Sequence, residues 1–168
     1  MATHYPESST STGETVAATL DGFQIELPPW GFADTGTRFG KFLQPAASST
    51  IEEKFSDAGQ VHKFTGACPT VALHVLWDVP AGTKSSDVKK LAERYGVRPG
   101  SISPNVFQDQ IYKHGSLCNE HESVRQHALQ HILDSVRIAR ELGSRDVTPW
   151  FAHRFRRSGE GAAGAAVN

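Results

Sequence analysis

The sequence has few cysteines, almost no excess charge and no long apolar run, and each of these features excludes a class of protein. Cys68 and Cys118 are the only thiols among 168 residues, and their spacing matches no metal or redox motif. Two cysteines so far apart cannot provide the disulfide framework of a small secreted protein. We therefore expect a protein of the reducing cytoplasm.

The balance of charge argues against nucleic acids and membranes as partners. Seventeen Lys and Arg residues stand against eighteen Asp and Glu residues, for a formal net charge of −1. A nucleic-acid-binding protein usually carries a basic stripe in a folded groove, whereas Arg154, Arg156 and Arg157 lie in a Gly/Ala-rich tail. No segment near Met1 resembles a secretion signal or a membrane span.

Apolar and amphipathic segments alternate along the chain and indicate an α/β fold. Strands are predicted at Ile25–Leu27, Thr70–Trp77, Ser101–Phe107 and Asp146–Phe151. The connections between them contain helices, which requires parallel strands and right-handed crossovers. The sequence thus predicts about four parallel βα units.

The three connecting helices have recognisable start and stop signals. Thr50 and Glu53 form a capping-box pair, and Gly66 ends the first helix. The second is predicted from about Ser86 to Gly96. The third is predicted from about Glu120 to Leu142, with Asn119 as its cap and Gly143 as its terminator.

We divide the chain into three parts by composition. Residues 1–21 are polar and predicted to be disordered, with at most a short helix at Val16–Leu20. Residues 22–152 form the folded unit. Residues 153–168 are rich in Arg, Gly and Ala, show no periodicity that could pack, and are predicted to be a disordered tail.

Aromatic residues and a histidine recur near the carboxyl ends of the predicted strands, at Trp30, His74, Trp77, Phe107 and Trp150. Ligands of parallel α/β proteins bind at that end of the strands. One such ring is more often a core residue, but several together could form an apolar wall for the C–H face of a sugar.

The histidines leave alternatives open. His74 is the only ionisable residue of an apolar strand, and either a structural role or a ligand-binding role is consistent with that position. His127 and His131 stand four residues apart on a helix and could share a metal. However, the Glu of a zinc-protease motif is missing between them, so we predict that both face solvent.

Linked motifs resemble the first half of bacterial L-rhamnose isomerases of the broad-specificity branch. The motifs are Leu27-Pro28-Pro29-Trp30-Gly31 with Gly36-Thr37-Arg38-Phe39, then Pro69-Thr70-Val71-Ala72-Leu73-His74-Val75-Leu76-Trp77-Asp78, then Asn105-Val106-Phe107-Gln108-Asp109 with Tyr112-Lys113-His114-Gly115-Ser116. The resemblance covers about residues 22–152.

The resemblance implies a xylose-isomerase-like (β/α)8 TIM barrel, a homotetramer, and manganese as cofactor in the interconversion of L-rhamnose and L-rhamnulose. It implies that an aldose or ketose sugar is the small-molecule partner and that His74 contacts this sugar and assists ring opening. The residues implied to line the sugar pocket are Trp30, Phe39, Trp77, Phe107 and Trp150.

The chain also departs from the family. The metal-binding residues of the family come from later strands, the usual Asp-Gly is replaced by His153-Arg154, and Pro149 replaces an aliphatic residue. A complete barrel needs roughly 250 residues. We therefore expect a partial, truncated barrel that is inactive by itself, with a frameshift as one explanation of residues 153–168.

Two other functions remain open at this point. The chain could be a non-catalytic sugar-binding or half-barrel assembly module, which metal dependence would distinguish from an isomerase. It could also be a metal-dependent nuclease of the same barrel superfamily, but the balanced charge argues against DNA as a substrate.

Overall fold

A computed structural model describes residues 12–33, 45–75 and 77–150. It contains four helices, α1 to α4, and three strands, β1 to β3. In chain order these are α1 (Thr12–Asp21), β1 (Glu26–Leu27), α2 (Ile51–Thr65), β2 (Thr70–Val75), α3 (Ser85–Arg94), β3 (Arg98–Pro104) and α4 (Glu122–Leu142), with short 3-10 turns at Pro29–Gly31 and Gln110–Tyr112. No helix in these ranges is long and apolar enough to cross a membrane.

The strands form one parallel sheet in the order β1-β2-β3, which confirms the predicted α/β class. Glu26 pairs with Thr70, and Thr70 pairs with Arg98 on its other side. Helices α2 and α3 provide the two crossovers. The spatial order of the three strands follows the chain order, which is consistent with a segment of a barrel and equally with one half of a doubly wound sheet. Barrel closure stays a prediction.

The predicted fourth strand is reduced to a single parallel bridge. Val147 pairs with Ile102 at the free edge of β3. Ile102 N donates to Asp146 O at 3.0 Å, and Thr148 N donates to Ile102 O at 2.9 Å. Pro149 follows immediately and has no N–H to continue the ladder. Phe151, the predicted end of this strand, lies outside the described residues.

Two predicted strands have different bounds in the structure. Strand β2 stops at Val75, because Trp77 N and Asp78 N both turn back to donate to His74 O. Strand β3 covers Arg98–Pro104 rather than Ser101–Phe107. Trp77 and Phe107 consequently lie in the loops that follow the strands.

The helix signals are mostly confirmed. Thr50 and Glu53 form the capping box of α2, and Gly66 and Gly143 end α2 and α4 in left-handed conformations with φ of 69° and 79°. The prediction for Asn119 is wrong, because His121 is the N-cap of α4. Asn119 instead accepts from His121 N and donates to Gly115 O, which stabilises the preceding turn.

The amino-terminal segment contains more helix than the sequence predicted. Helix α1 covers Thr12–Asp21, ten residues, where we expected at most a short helix at Val16–Leu20. The side chains described there are exposed. Residues 153–168 lie outside the described ranges, so the disordered tail stays a prediction.

The main core lies between the sheet and helices α2, α3 and α4. Phe55, Leu73 and Ile102 are among its fully buried side chains. A smaller cluster around Val106 and Ala128 joins α4 to the loop after β3. The two clusters fix the strands and α4 relative to one another, and thereby position the carboxyl ends of the strands.

Candidate functional site

His74 lies at the centre of a group of rings at the carboxyl edge of the sheet. Its imidazole stacks on Trp77, with ring centroids 3.9 Å apart and planes 20° apart. Trp30 and Phe107 meet the same imidazole edge-on, at 6.4 Å and 6.0 Å. Trp150 joins the group through Phe107, at 5.9 Å. We call these five residues the aromatic wall.

The sheet topology explains why the wall forms. Parallel strands end at one edge, so the segments that leave β1, β2 and β3 begin beside one another. Trp30 lies in the 3-10 turn directly after β1, which Pro28 and Pro29 initiate. Trp150 follows the bridge at Val147. Five of the six site residues predicted from the sequence therefore come together, and the sixth, Phe39, lies outside the described residues.

The wall is open to solvent on one side. Trp30 is 37%, Trp77 is 39% and Trp150 is 67% exposed, whereas His74 is only 5% exposed. Ordinary core tryptophans would be covered by neighbouring side chains. An exposed apolar surface beside a buried titratable group is typical of a ligand-binding site.

The environment of His74 favours its neutral form. Burial lowers the pKa of His74 below its ordinary value of 6.5, and the backbone at Val75 and the carboxylate of Asp78 offset this only in part. Its Nδ1 is buried and makes no hydrogen bond to the residues that the structure describes. A neutral imidazole carries one donor and one acceptor, so it can move a proton between two oxygens of a ligand.

A buried ion pair fixes the backbone around His74. Asp78 Oδ2 accepts the N–H of His74 at 2.7 Å, and Asp78 Oδ1 accepts from Lys54 Nζ at 2.6 Å. Both charged side chains are buried. Lys54 was not predicted from the sequence, although its position between Ile51 and Phe55 on the apolar face of α2 was a usable signal.

A polar cavity of about 270 Å³ adjoins the wall at Trp77. The loop after β3 and helix α4 supply its remaining lining, which consists of Asn105, Gln108, Asp109, Tyr112, His127 and His131. The prediction that His131 faces solvent is wrong, because its Nε2 accepts the N–H of Asn105 at 3.0 Å. His127 is exposed, as predicted, and its ring lies 6.1 Å from that of Tyr112.

The described side chains do not fit a divalent-metal site. Within residues 12–33, 45–75 and 77–150, no three His, Cys, Asp or Glu residues are grouped so that they could hold an ion. His127 and His131 lack a third ligand there, and protein metal sites usually supply three or four.

Two curated proteins resemble this chain. It is 31% identical over 142 residues to a probable sugar isomerase of Mesorhizobium japonicum, and 32% identical over 145 residues to a probable sugar isomerase of Rhizobium meliloti. This chain is therefore similar to two probable sugar isomerases. Each match covers 82% of the chain but only 32% and 33% of the two relatives, so the chain spans about a third of their length. No protein-family model matches the chain.

Proposed function

We propose that the aromatic wall binds an aldose or ketose sugar as part of a sugar isomerase, with L-rhamnose and L-rhamnulose as the substrate pair. The observation that carries the proposal is the enclosure of a buried His74 by Trp30, Trp77 and Phe107. The similarity to two probable sugar isomerases supports the same class of substrate.

The wall has the two properties that sugar recognition needs. Its rings offer apolar surface for the C–H groups of a sugar, and their partial exposure leaves that surface available. Trp77 uses one ring face for His74, so the sugar packs against its remaining surface and against the neighbouring rings.

His74 is suited to ring opening, the first step in the isomerisation of a cyclic sugar. A neutral imidazole accepts the proton of the anomeric hydroxyl while the bond between C1 and the ring oxygen breaks. The ring oxygen then receives a proton from the imidazole, so that an open-chain sugar forms and His74 returns to its starting state.

The subsequent hydrogen transfer between C1 and C2 is not assigned to these residues. The resemblance implies manganese for that step, and the described residues do not fit a manganese site. We propose that the metal ligands come from other residues of the active assembly. The homotetramer implied by the resemblance is likewise a proposal.

A second candidate function is a non-catalytic sugar-binding or half-barrel assembly module. The lack of a three-residue metal-binding group within the described ranges favours it. Such a module would bind the same sugars through the same wall, but it would produce no ketose with any divalent metal. Measured turnover therefore distinguishes the two candidates.

Intrinsic fluorescence tests the proposal directly, because all three tryptophans of the chain belong to the wall. We expect L-rhamnose to change the emission saturably, and Trp77→Ala to weaken binding by about tenfold or more. Phe64→Ala is the control, since Phe64 is 81% exposed on α2. Absence of saturable binding would refute the proposal.

Formation of L-rhamnulose with manganese ions would favour the isomerase, and binding without turnover would favour the module.

A further inference from the structure

The polar cavity beside Trp77 contains hydrogen-bonding groups that the proposed function does not use. It lies between the loop after β3 and α4, and it shares only Trp77 with the aromatic wall. The loop is held in place by Asn105, which donates its N–H to His131 Nε2 and exchanges two hydrogen bonds with Gln108. The cavity is therefore built on a fixed scaffold.

Three side chains that line the cavity have donors or acceptors that are available to a ligand. Most of the Tyr112 side chain is buried, but its hydroxyl is accessible and makes no hydrogen bond to the described residues. Gln108 uses its Oε1 to accept from Asn105 Nδ2, which leaves its Nε2 free to donate. Asp109 Oδ1 accepts from Ile111 N, and the second carboxylate oxygen remains as an acceptor.

The lining excludes charged ligands of two kinds. No Lys or Arg lines the cavity, so a phosphate or another anion would find no partner charge. The residues that the structure describes also hold no cluster suited to a metal cation. Burial and the nearby Asp109 raise the pKa of Tyr112, so its hydroxyl remains a neutral donor at physiological pH. A neutral ligand with several hydroxyl groups matches these donors and acceptors.

We propose that this cavity is a subsite that recognises the hydroxyl groups of a monosaccharide. Tyr112 and Gln108 donate hydrogen bonds to sugar hydroxyls, and Asp109 accepts a hydrogen bond from one. The proposal rests on the proposed function, because Trp77 connects the cavity to the aromatic wall. A cavity of about 270 Å³ lies near the lower limit of ordinary small-molecule sites, which suits one sugar or a part of it. The subsite would distinguish sugars by hydroxyls other than the anomeric one, which the proposed function assigns to His74.

A double-mutant cycle tests the subsite by removing one hydroxyl from the protein and one from the sugar, separately and together. The affinity of the whole chain for L-rhamnose and for its singly deoxygenated analogues is measured with Tyr112→Phe and with the unaltered protein. We expect Tyr112→Phe to weaken L-rhamnose binding about tenfold, and the loss of one particular hydroxyl from the sugar to have no further effect in that variant. A purely structural role for Tyr112 would lower the affinity for all analogues equally, which would refute the proposal.

Tyr95→Phe is the matched control, because the Tyr95 hydroxyl binds Glu52 on the surface. Gln108→Glu is a second variant that keeps the acceptor for Asn105 and removes the spare donor, so we expect a similar loss should Tyr112→Phe fail to fold. Unchanged affinity in Tyr112→Phe and Gln108→Glu, with a loss in Trp77→Ala, would refute the subsite and leave the proposed function standing. Absence of sugar binding by the unaltered chain would refute both.

Discussion

The carboxylate of Asp78 accepts the backbone N–H of His74 at 2.7 Å, across the turn that ends β2. This contact places the ring of Trp77 over the imidazole, because Trp77 lies inside the same turn. Lys54 balances the charge of Asp78 from helix α2. The buried ion pair between Lys54 and Asp78 thus supports the turn that carries Trp77.

Replacing Lys54 by Met is expected to destabilise the protein strongly. The substitution leaves the Asp78 carboxylate buried and unpaired, which costs about 3–5 kcal/mol in comparable pairs. The free energy of unfolding in urea measures the change. Arg94→Met is the control, because the Arg94–Glu52 pair is exposed and its loss should cost less than about 1 kcal/mol. Equal effects of the two substitutions would contradict the role of Lys54.

Stability is expected to fall as the pH is lowered through the range below 6.5. Burial lowers the pKa of His74 in the folded protein, so the unfolded chain binds its proton at higher pH than the folded one. The stabilisation is complete above the ordinary pKa and is lost as the pH falls towards the folded value. His131 shifts in the same direction, also chiefly through burial, and adds to the slope.

The contribution of His74 can be isolated with His74→Phe, which keeps an aromatic ring against Trp77. Stability measured between pH 7.5 and 5 should depend less on pH in this variant, and the remaining slope should come partly from His131. The pKa of His74 is also affected by the charged or titratable groups of Lys54, Asp78 and His131. These three residues must therefore be unchanged in the comparison. An identical slope in the variant would contradict the prediction.

His131→Phe is expected to cost about 1–3 kcal/mol, because the Asn105 N–H would lose its acceptor in a largely buried position. Thermal or urea unfolding gives the value. His127→Phe provides the comparison one turn earlier on α4: His127 is exposed, and its replacement should change stability by less than about 0.5 kcal/mol. A similar loss of stability in both variants would show that the hydrogen bond from Asn105 to His131 does not stabilise the protein.

Gly59→Ala is expected to destabilise the protein although alanine favours helices. A Cβ at Gly59 would lie 2.4 Å from the backbone oxygen of Tyr95, where α2 packs against the end of α3. Overpacking of this kind costs about 1–3 kcal/mol, against a propensity gain of about 1 kcal/mol. Gln60→Ala, at an exposed neighbouring position of α2, serves as the control. A rise in the melting temperature of Gly59→Ala would contradict the close approach.

The sequence predicted well those features that depend on neighbouring residues. The capping box of Thr50 and Glu53 and the left-handed ends at Gly66 and Gly143 are local, so the pattern alone identified them. The gathering of rings around His74 followed from a general rule about parallel strands. Asn119 was misassigned because a residue two positions before His121 can stabilise the preceding turn instead of the helix.

The features that the sequence did not predict depend on distant contacts. The partner of Asp78 lies 24 residues earlier, and the partner of His131 lies 26 residues earlier, so neither pair has a local signature. The polar cavity arises only when the loop after β3 packs against α4. The roles assigned to the wall residues, and the role of Phe39 outside the described ranges, stay predictions.

A crystal structure of the chain soaked with L-rhamnose tests the sugar-binding role of the aromatic wall most directly. We expect a sugar whose C–H face lies against Trp77 and its neighbouring rings, with a sugar oxygen within hydrogen-bonding distance of the His74 imidazole. A sugar bound elsewhere, with the aromatic wall covered by protein side chains, would show that the wall is not a sugar-binding site.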